Sequence, residues 1–279
     1  MSKFSTLLKQ LPVTAFVGLL LTTTFIIMAV FAPWLAPYSM SESVGEMWLG
    51  PSADFWLGTD NLGRDLLSRL IYGARTTMTI AALATALAFS LGSVLGILAA
   101  VYGGWVDQLI SRGVDIVMSI PTLIFALVIL SVMPSTVLML ILIMGILDST
   151  RVFRISRAVA VDINVMDFVE AARLRGEGKR WIIFREILPN ALTPLIAELG
   201  LRFIFAVLFL SSLSFLGLGV QPPEADWGSM VRENRQGIVF GVPAALIPAG
   251  AIALLAISVN LVADWILRRT TDLKGGRSG

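Results

Sequence analysis

Six long apolar runs recur along this chain, and they leave few ways to fold it. A helix needs about 20 apolar residues to cross the hydrocarbon core of a bilayer. The runs cover Val13–Leu35, Met78–Val101, Ile116–Met133, Thr136–Phe153, Ala191–Leu218 and Val242–Leu267. The third is short and holds Pro121, which predicts a kink. Only Pro134 and Ser135 part it from the fourth, which predicts a tight helical hairpin. Charged residues make up 14% of the 279, against about 25% in a soluble domain. The surface of such a chain suits lipid. A secretory signal accounts for one apolar run, not six, and the first run exceeds the usual length of about 7–15 residues. Pro37 also crowds its one small-residue cleavage site, so it reads as an uncleaved anchor.

Lysine and arginine set the orientation, because they collect on the cytoplasmic side. With the N-terminus inside, the inner segments hold Lys3, Lys9, Arg112, eight residues between Arg151 and Arg185, and four from Arg268 onward. That is fifteen, against five outside: Arg64, Arg69, Arg75, Arg232 and Arg235. Six crossings with both ends cytoplasmic follow. The net charge of +2 gives no basic face for nucleic acid. The chain has no Cys and no His. Disulfides, thiol nucleophiles, imidazole bases and zinc or copper sites built on those residues are excluded. Lys3, Lys9, Lys179 and Lys274 all lie in polar segments, so a Ser–Lys dyad within the membrane is excluded too. A phosphate-binding loop of the Walker A type is absent; Gly176-Glu177-Gly178-Lys179-Arg180 has the wrong spacing. A secondary transporter would be expected to carry internal repeats with broken helices, and no such repeat is visible.

Three polar segments remain. The outer loop Tyr38–Thr77 contains Leu57-Gly58-Thr59-Asp60-Asn61-Leu62-Gly63-Arg64-Asp65, which suits a turn and then a helix start. A short amphipathic helix is predicted over Asp65–Tyr72. The second outer loop, Gly219–Phe240, holds Gln221-Pro222-Pro223 and places Trp227 where an interfacial anchor would sit. The inner loop Arg154–Pro189 is far longer than a link between two helices needs. Val165, Phe168, Val169 and Ala172 share one helical face; Asp167, Glu170, Arg173 and Glu177 take the other. Gly176 can end that helix. Trp181, Ile182, Phe184 and Ile187 form a second apolar set, and Pro189 fits the first turn of the next span. That pattern reads as a rigid cytoplasmic elbow, the alternative being a helix lying flat on the inner leaflet. Within the membrane, Asp148 and Arg151 form one charged pair and Glu198 and Arg202, four apart, another. Gly92 and Gly96 predict close helix packing.

Glu170-Ala171-Ala172, Gly176 and Leu188-Pro189 resemble the EAA loop of permease subunits in bacterial ABC importers. That pattern has Ile two residues before Leu-Pro, where this chain has Glu186, with Ile187 next. Trp56-Leu57-Gly58-Thr59-Asp60, Gly63-Arg64-Asp65, Tyr72-Gly73-Ala74-Arg75 and Leu213-Ser214-Phe215-Leu216-Gly217-Leu218-Gly219 resemble the dipeptide, oligopeptide and nickel permeases, nearest the second, or "C", dipeptide subunit. The resemblance runs from about Phe55 to Ile266. It implies an all-α membrane protein with the type I importer fold. An anchor segment at 1–37 precedes an extracytoplasmic loop at 38–75. A transport core at 76–266 contains the coupling loop 154–189, and a cytoplasmic tail at 267–279 ends the chain. It implies a second permease, two ATPases that hold ATP and Mg, and an extracytoplasmic solute-binding protein, with no catalytic, cofactor or metal site on this chain. Glu170, Ala171, Ala172, Gly176, Leu188 and Pro189 would couple to an ATPase. Asp60, Arg64, Asp65 and Trp227 are the candidate contacts with the binding protein. Peptides or related small solutes would be the cargo of this inner-membrane importer.

Overall fold

The computed structural model describes residues 12–275, with side chains to Leu267 except that of Ala197. Lys3, Lys9 and the basic side chains from Arg268 onward, which weigh in the orientation, lie outside this range. Apart from two isolated bridges, Ser43 with Arg64 and Thr59 with Asp65, the described residues are helix or loop. The helices are α1 (Val13–Val30), α2 (Ala32–Leu35), α3 (Leu66–Tyr102), α4 (Gly104–Met118), α5 (Thr122–Val132) and α6 (Val137–Asn164). Then follow α7 (Asp167–Leu174), α8 (Lys179–Ile182), a π-helical turn (Ile183–Ile187), α9 (Leu188–Phe215), α10 (Trp227–Asn234) and α11 (Leu246–Gly275). Four stretches are long and apolar enough to cross a membrane: Val13–Val30, Leu66–Tyr102, Glu198–Phe215 and Pro243–Leu267. The pair α4 and α5 makes a fifth if it crosses as one broken span. The fourth expected run lies in α6, which at 28 residues is about 42 Å long and carries Asp148, Arg151 and Arg154.

Two sequence expectations change in form. The short helix over Asp65–Tyr72 is not separate: it is the first two turns of α3, a single helix of 37 residues and about 55 Å. Nothing between Tyr72 and Met78 breaks it, since Gly73 is the one weak helix former there. The third run is not a kinked helix. Its first residues belong to α4, which starts at Gly104, and an 80° bend at Ser119–Pro121 separates α4 from α5. Proline disfavours helical backbone in the residue before it, so the chain turns there rather than bending gently. The predicted hairpin forms. Met133 caps α5, and the Thr136 side chain accepts from the Met139 N–H at 3.2 Å to start α6.

The chain forms two compact units, one from Met1–Ala81 with Val207–Gly279 and one from Ala82–Ala206. In the first, α1 packs against α11. A Cβ on Gly18 would come within 2.8 Å of Leu261 Cβ, so only glycine permits that approach. In the second, α3 and α6 meet at Gly92 and Gly96 as the spacing predicts. A Cβ on Gly92 would lie 2.6 Å from the Ser149 carbonyl oxygen, and one on Gly96 2.8 Å from that of Phe153. α4 is laid along the end of α6 by Arg157, which donates to Asp107 at 2.5 and 2.6 Å, and by Arg154, 2.8 Å from Asp115. Val114 closes the joint against Ala99 and Phe153.

Candidate functional site

The elbow begins where α6 ends. α7 follows within three residues, and its ending is fixed by the backbone. Gly176 takes φ +85°, its N–H bonds the Arg173 carbonyl at 2.9 Å, and the Glu177 N–H bonds that of Ala172 at 3.2 Å. This paired closure needs a left-handed residue after the helix, which glycine adopts without strain. Arg173 donates to Asn164 Oδ1 at 2.6 Å, and Asn164 Nδ2 donates to the Ala100 carbonyl at 3.3 Å, tying α7 to α6 and α3.

Inward, Val169 and Ala172 are fully buried. Val169 joins a core made of Ile97, Ala100 and Val101 from α3, Ala160 and Ile163 from α6, and Ile182, Ile183 and Ile187 beyond the glycine. Burying a valine contributes about 1.5–3 kcal/mol, so α7 is anchored rather than laid on a surface. Two members of the expected inward face are missing. Val165 falls after α6 has ended and is 76% exposed; Phe168 is 38% exposed. Ala172 holds the place its spacing gives it, three residues from Val169 on the inward face, so of the two alanines only Ala171 is outward. Glu170, Ala171 and Gly176 are exposed as expected, and Leu174, which the sequence reading passes over, is 84% exposed. Glu170 and Leu174 are four apart, on one outward face with Ala171 between. The signal was there: Leu174 is the large apolar residue of α7 that lies off its inward stripe.

The second half of the elbow is one continuous rod with a wide turn in it. Pro189 has no N–H, and its ring clashes with the carbonyl four residues earlier in a regular helix. The π turn Ile183–Ile187 precedes it, and the Leu188 N–H bonds back to the Ile183 carbonyl, five residues away. The extra residue in that turn moves the apolar register. Ile183 rather than Phe184 faces the core, Phe184 is 65% exposed, and Ile187 is fully buried where Glu186 holds the expected isoleucine position. Leu188 packs on the same core and Pro189 is exposed.

The outer candidates occupy a different place from the one expected. Asp60, Arg64, Asp65 and Trp227 are all buried, none more than 6% exposed. Asp60 Oδ1 accepts the N–H groups of Leu62 and Arg64 at 2.8 and 2.9 Å, while its Oδ2 takes the Arg64 Nε–H at 2.6 Å. Arg64 and Arg69 both donate to Glu233 Oε2, at 2.7 and 2.9 Å. Arg69 Nε lies 3.2 Å from Asp60 Oδ2, near enough for attraction but not aligned as a hydrogen bond. Asp65 caps α3 by accepting from the Ser68 N–H at 2.8 Å. Trp227 is not an interfacial anchor: its ring is enclosed, its Nε1 donates to the Leu70 carbonyl at 3.0 Å, and Phe25 meets it edge-on at 5.5 Å. These side chains hold the outer loops together, and within this chain they are buried rather than displayed. The tip they support is exposed, with Leu62 at 58%.

Among the membrane charges, Arg202 bonds Glu198 at 2.6 Å as the spacing predicts, and its Nη1 lies 3.5 Å from Asp148 Oδ1. Asp148 thus lies within ion-pair distance of Arg202, and Arg151 is a second positive charge acting on it.

Comparison with known proteins adds independent evidence. Residues 92–272 match the family described as the binding-protein-dependent transport system inner membrane component. Residues 13–51 match the N-terminal transmembrane domain of oligopeptide transport permease C. The dipeptide transport system permease protein DppC of Alkalihalophilus pseudofirmus is 36% identical, over 93% of this chain and 86% of its own length. The di/tripeptide transport system permease protein DppC of Pseudomonas aeruginosa is 37% identical, over 92% and 87%. A probable D,D-dipeptide permease of Escherichia coli K12 is 33% identical, over 99% and 92%. A crystal structure of an amino acid ABC transporter superposes with a TM-score of 0.57 at 20% identity, covering 73% of this chain and 94% of the other. That likeness concerns the fold alone.

Proposed function

Because the chain belongs to the family of inner-membrane components of binding-protein-dependent transport systems, we propose that it is a permease subunit of an ATP-driven peptide importer. It crosses the inner membrane six times with both ends in the cytoplasm. It forms half of the pathway beside a second permease, receives solute from an extracytoplasmic binding protein, and leaves ATP hydrolysis to two ATPase subunits. The named relatives, which serve dipeptides and di/tripeptides, support the cargo class. The ion pairs support the topology. Arg154 and Arg157, inside by the lysine and arginine count, pair with Asp115 and Asp107, and Arg64 and Arg69, outside by it, pair with Glu233 of the second outer loop.

The observation that carries the mechanism is α7, fixed at both ends, buried on one side and exposed at Glu170, Ala171 and Leu174 on the other. Closure of the ATPases pushes this helix. Because Val169 and Ile187 lock it to α3, α6 and α9, the displacement passes to the spans as a shift between two packed states. Glu170 meets a basic side chain of the ATPase, Ala171 allows close approach, and Leu174 enters an apolar cleft.

Losing a charge-assisted bond removes about 1.5–3 kcal/mol, or roughly tenfold or more in coupling. Glu170→Ala and Gly176→Val are therefore expected to cut ATP-dependent uptake about tenfold, with the amount of chain in the membrane unchanged and ATP hydrolysis continuing. Uptake at the wild-type rate by both variants would sink the proposal.

A further inference from the structure

α3 ends at Tyr102, and two glycines of positive φ, Gly103 at +60° and Gly104 at +54°, turn the chain into α4. At its other end the 80° bend leads from α4 into the apolar α5. A helix set at 80° to one that enters the bilayer lies close to the membrane plane. The ion pairs to α6 agree. Asp107 and Asp115 are about 12 Å apart along α4, while their partners Arg157 and Arg154 are about 4.5 Å apart along α6. α4 therefore crosses the end of α6. The crossing is about 28 Å along α6 from Val137, close to the roughly 30 Å thickness of a hydrocarbon core.

Seen down its axis, at about 100° per residue, α4 divides into three sectors. Asp107, held by Arg157, and Val114, packed on Ala99 and Phe153, face the protein. Trp105, Leu109 and Ile116 fall within about 40° of one another and are 74, 64 and 70% exposed. The half-buried Val106 and Val117 continue that apolar side round to the protein. Gln108, Arg112 and Asp115 are exposed on the other side, within about 60° of one another. Asp115 reaches back to Arg154; among the described residues Arg112 has no hydrogen bond and no ion pair. The two exposed sets do not interleave, so the boundary between them runs the length of the helix. Hydrocarbon on one side and water on the other impose that division. A protein partner favours an apolar patch with polar residues all round it, and here they take one side only. Tyr102, with the Lys179 ammonium 4.6 Å from its ring centroid, and Trp105 are residue types that gather at the membrane–water boundary.

We propose that α4 is a lipid-binding helix lying in the inner boundary of the membrane. Trp105, Leu109 and Ile116 rest among phospholipid acyl chains, and Arg112, with Gln108 beside it, receives the headgroup phosphate. Arginine suits that place, because its stem runs along the apolar side while its guanidinium donates to phosphate oxygens. The ion pairs to Arg154 and Arg157 fix the helix at that level. The inference rests on the cytoplasmic placement of α4 and not on the identity of the cargo.

The test uses the whole transporter, its other subunits made free of cysteine, in vesicles of phosphatidylethanolamine and phosphatidylglycerol. Leu109→Cys, Ile116→Cys and Gln108→Cys are introduced singly and spin-labelled. Relaxation by oxygen, which concentrates among acyl chains, is expected to exceed relaxation by a water-soluble nickel chelate at 109 and 116, with the reverse at 108. Each comparison is a ratio within one preparation, so partial misfolding does not imitate it. Labels at 109 and 116 shielded from both relaxants assign the face to another protein chain. Labels at all three positions open to nickel assign it to a water-filled path. Either result overturns the proposal, and so does reaction of Gln108→Cys with an impermeant thiol reagent in spheroplasts rather than in inverted vesicles. For the phosphate, Arg112→Gln is expected to weaken phosphatidylglycerol binding to the solubilised transporter about fivefold, and Arg112→Lys to keep most of it. Equal binding by wild type and Arg112→Gln overturns the phosphate site. A wild-type complex that takes up no peptide with ATP overturns the functional reading and leaves this one standing.

Discussion

Glu233 places one oxygen, Oε2, against two arginines that are 7% and 1% exposed. With Asp60 the four charges cancel. Glu233→Gln leaves one positive charge buried and uncompensated, a change that costs about 3–5 kcal/mol. A clear fall in the melting temperature of the solubilised transporter is the expected outcome, and an unchanged one would show the cluster to be open to water. This is also where the sequence is least legible. Asp60, Arg64 and Asp65 sit in a turn-rich segment, and charged turn residues are ordinarily solvated. What buries them is a partner 169 residues further on, and no local pattern carries that pairing. Gly176 is the opposite case. Its role depends on residues within four positions, so its left-handed cap could be read from the spacing alone.

Elements packed through glycine leave no room for substitution. A methyl on Gly92 would press 2.6 Å from both the Ser149 carbonyl and Val152 Cβ, and neither is the free end of a flexible side chain. Gly92→Ala is expected to cost about 1–3 kcal/mol. Gly113, inside α4, is the control: a methyl there meets nothing, so Gly113→Ala should stabilise by about 0.5–1 kcal/mol. Equal melting temperatures for the two variants would refute the packing. Apolar runs and small-residue spacing made these elements legible, because each depends on neighbours within a turn or two. The 80° break and the π turn were not. A proline announces a fault in a helix, but whether the chain kinks, turns away or widens is decided by what the flanking residues can pack against. At Pro121 the aspartates of α4 find Arg154 and Arg157, and at Pro189 Ile183 and Ile187 find the core.

For the whole molecule, the absence of cysteine makes topology directly measurable. Leu62→Cys and Leu174→Cys, at positions 58% and 84% exposed, should react with a membrane-impermeant thiol reagent from opposite faces, the first in intact spheroplasts and the second in inverted vesicles. Labelling of both from one face contradicts six crossings with the loops placed as proposed. Leu174 has a consequence outside transport as well. A leucine held in water on a rigid helix is a hydrophobic flag for as long as nothing covers it. On the coupling proposed above, a permease made in excess of its ATPase would carry that flag continuously and one in a finished complex would not, so the side chain that takes the push would also mark orphan subunits apart from assembled ones.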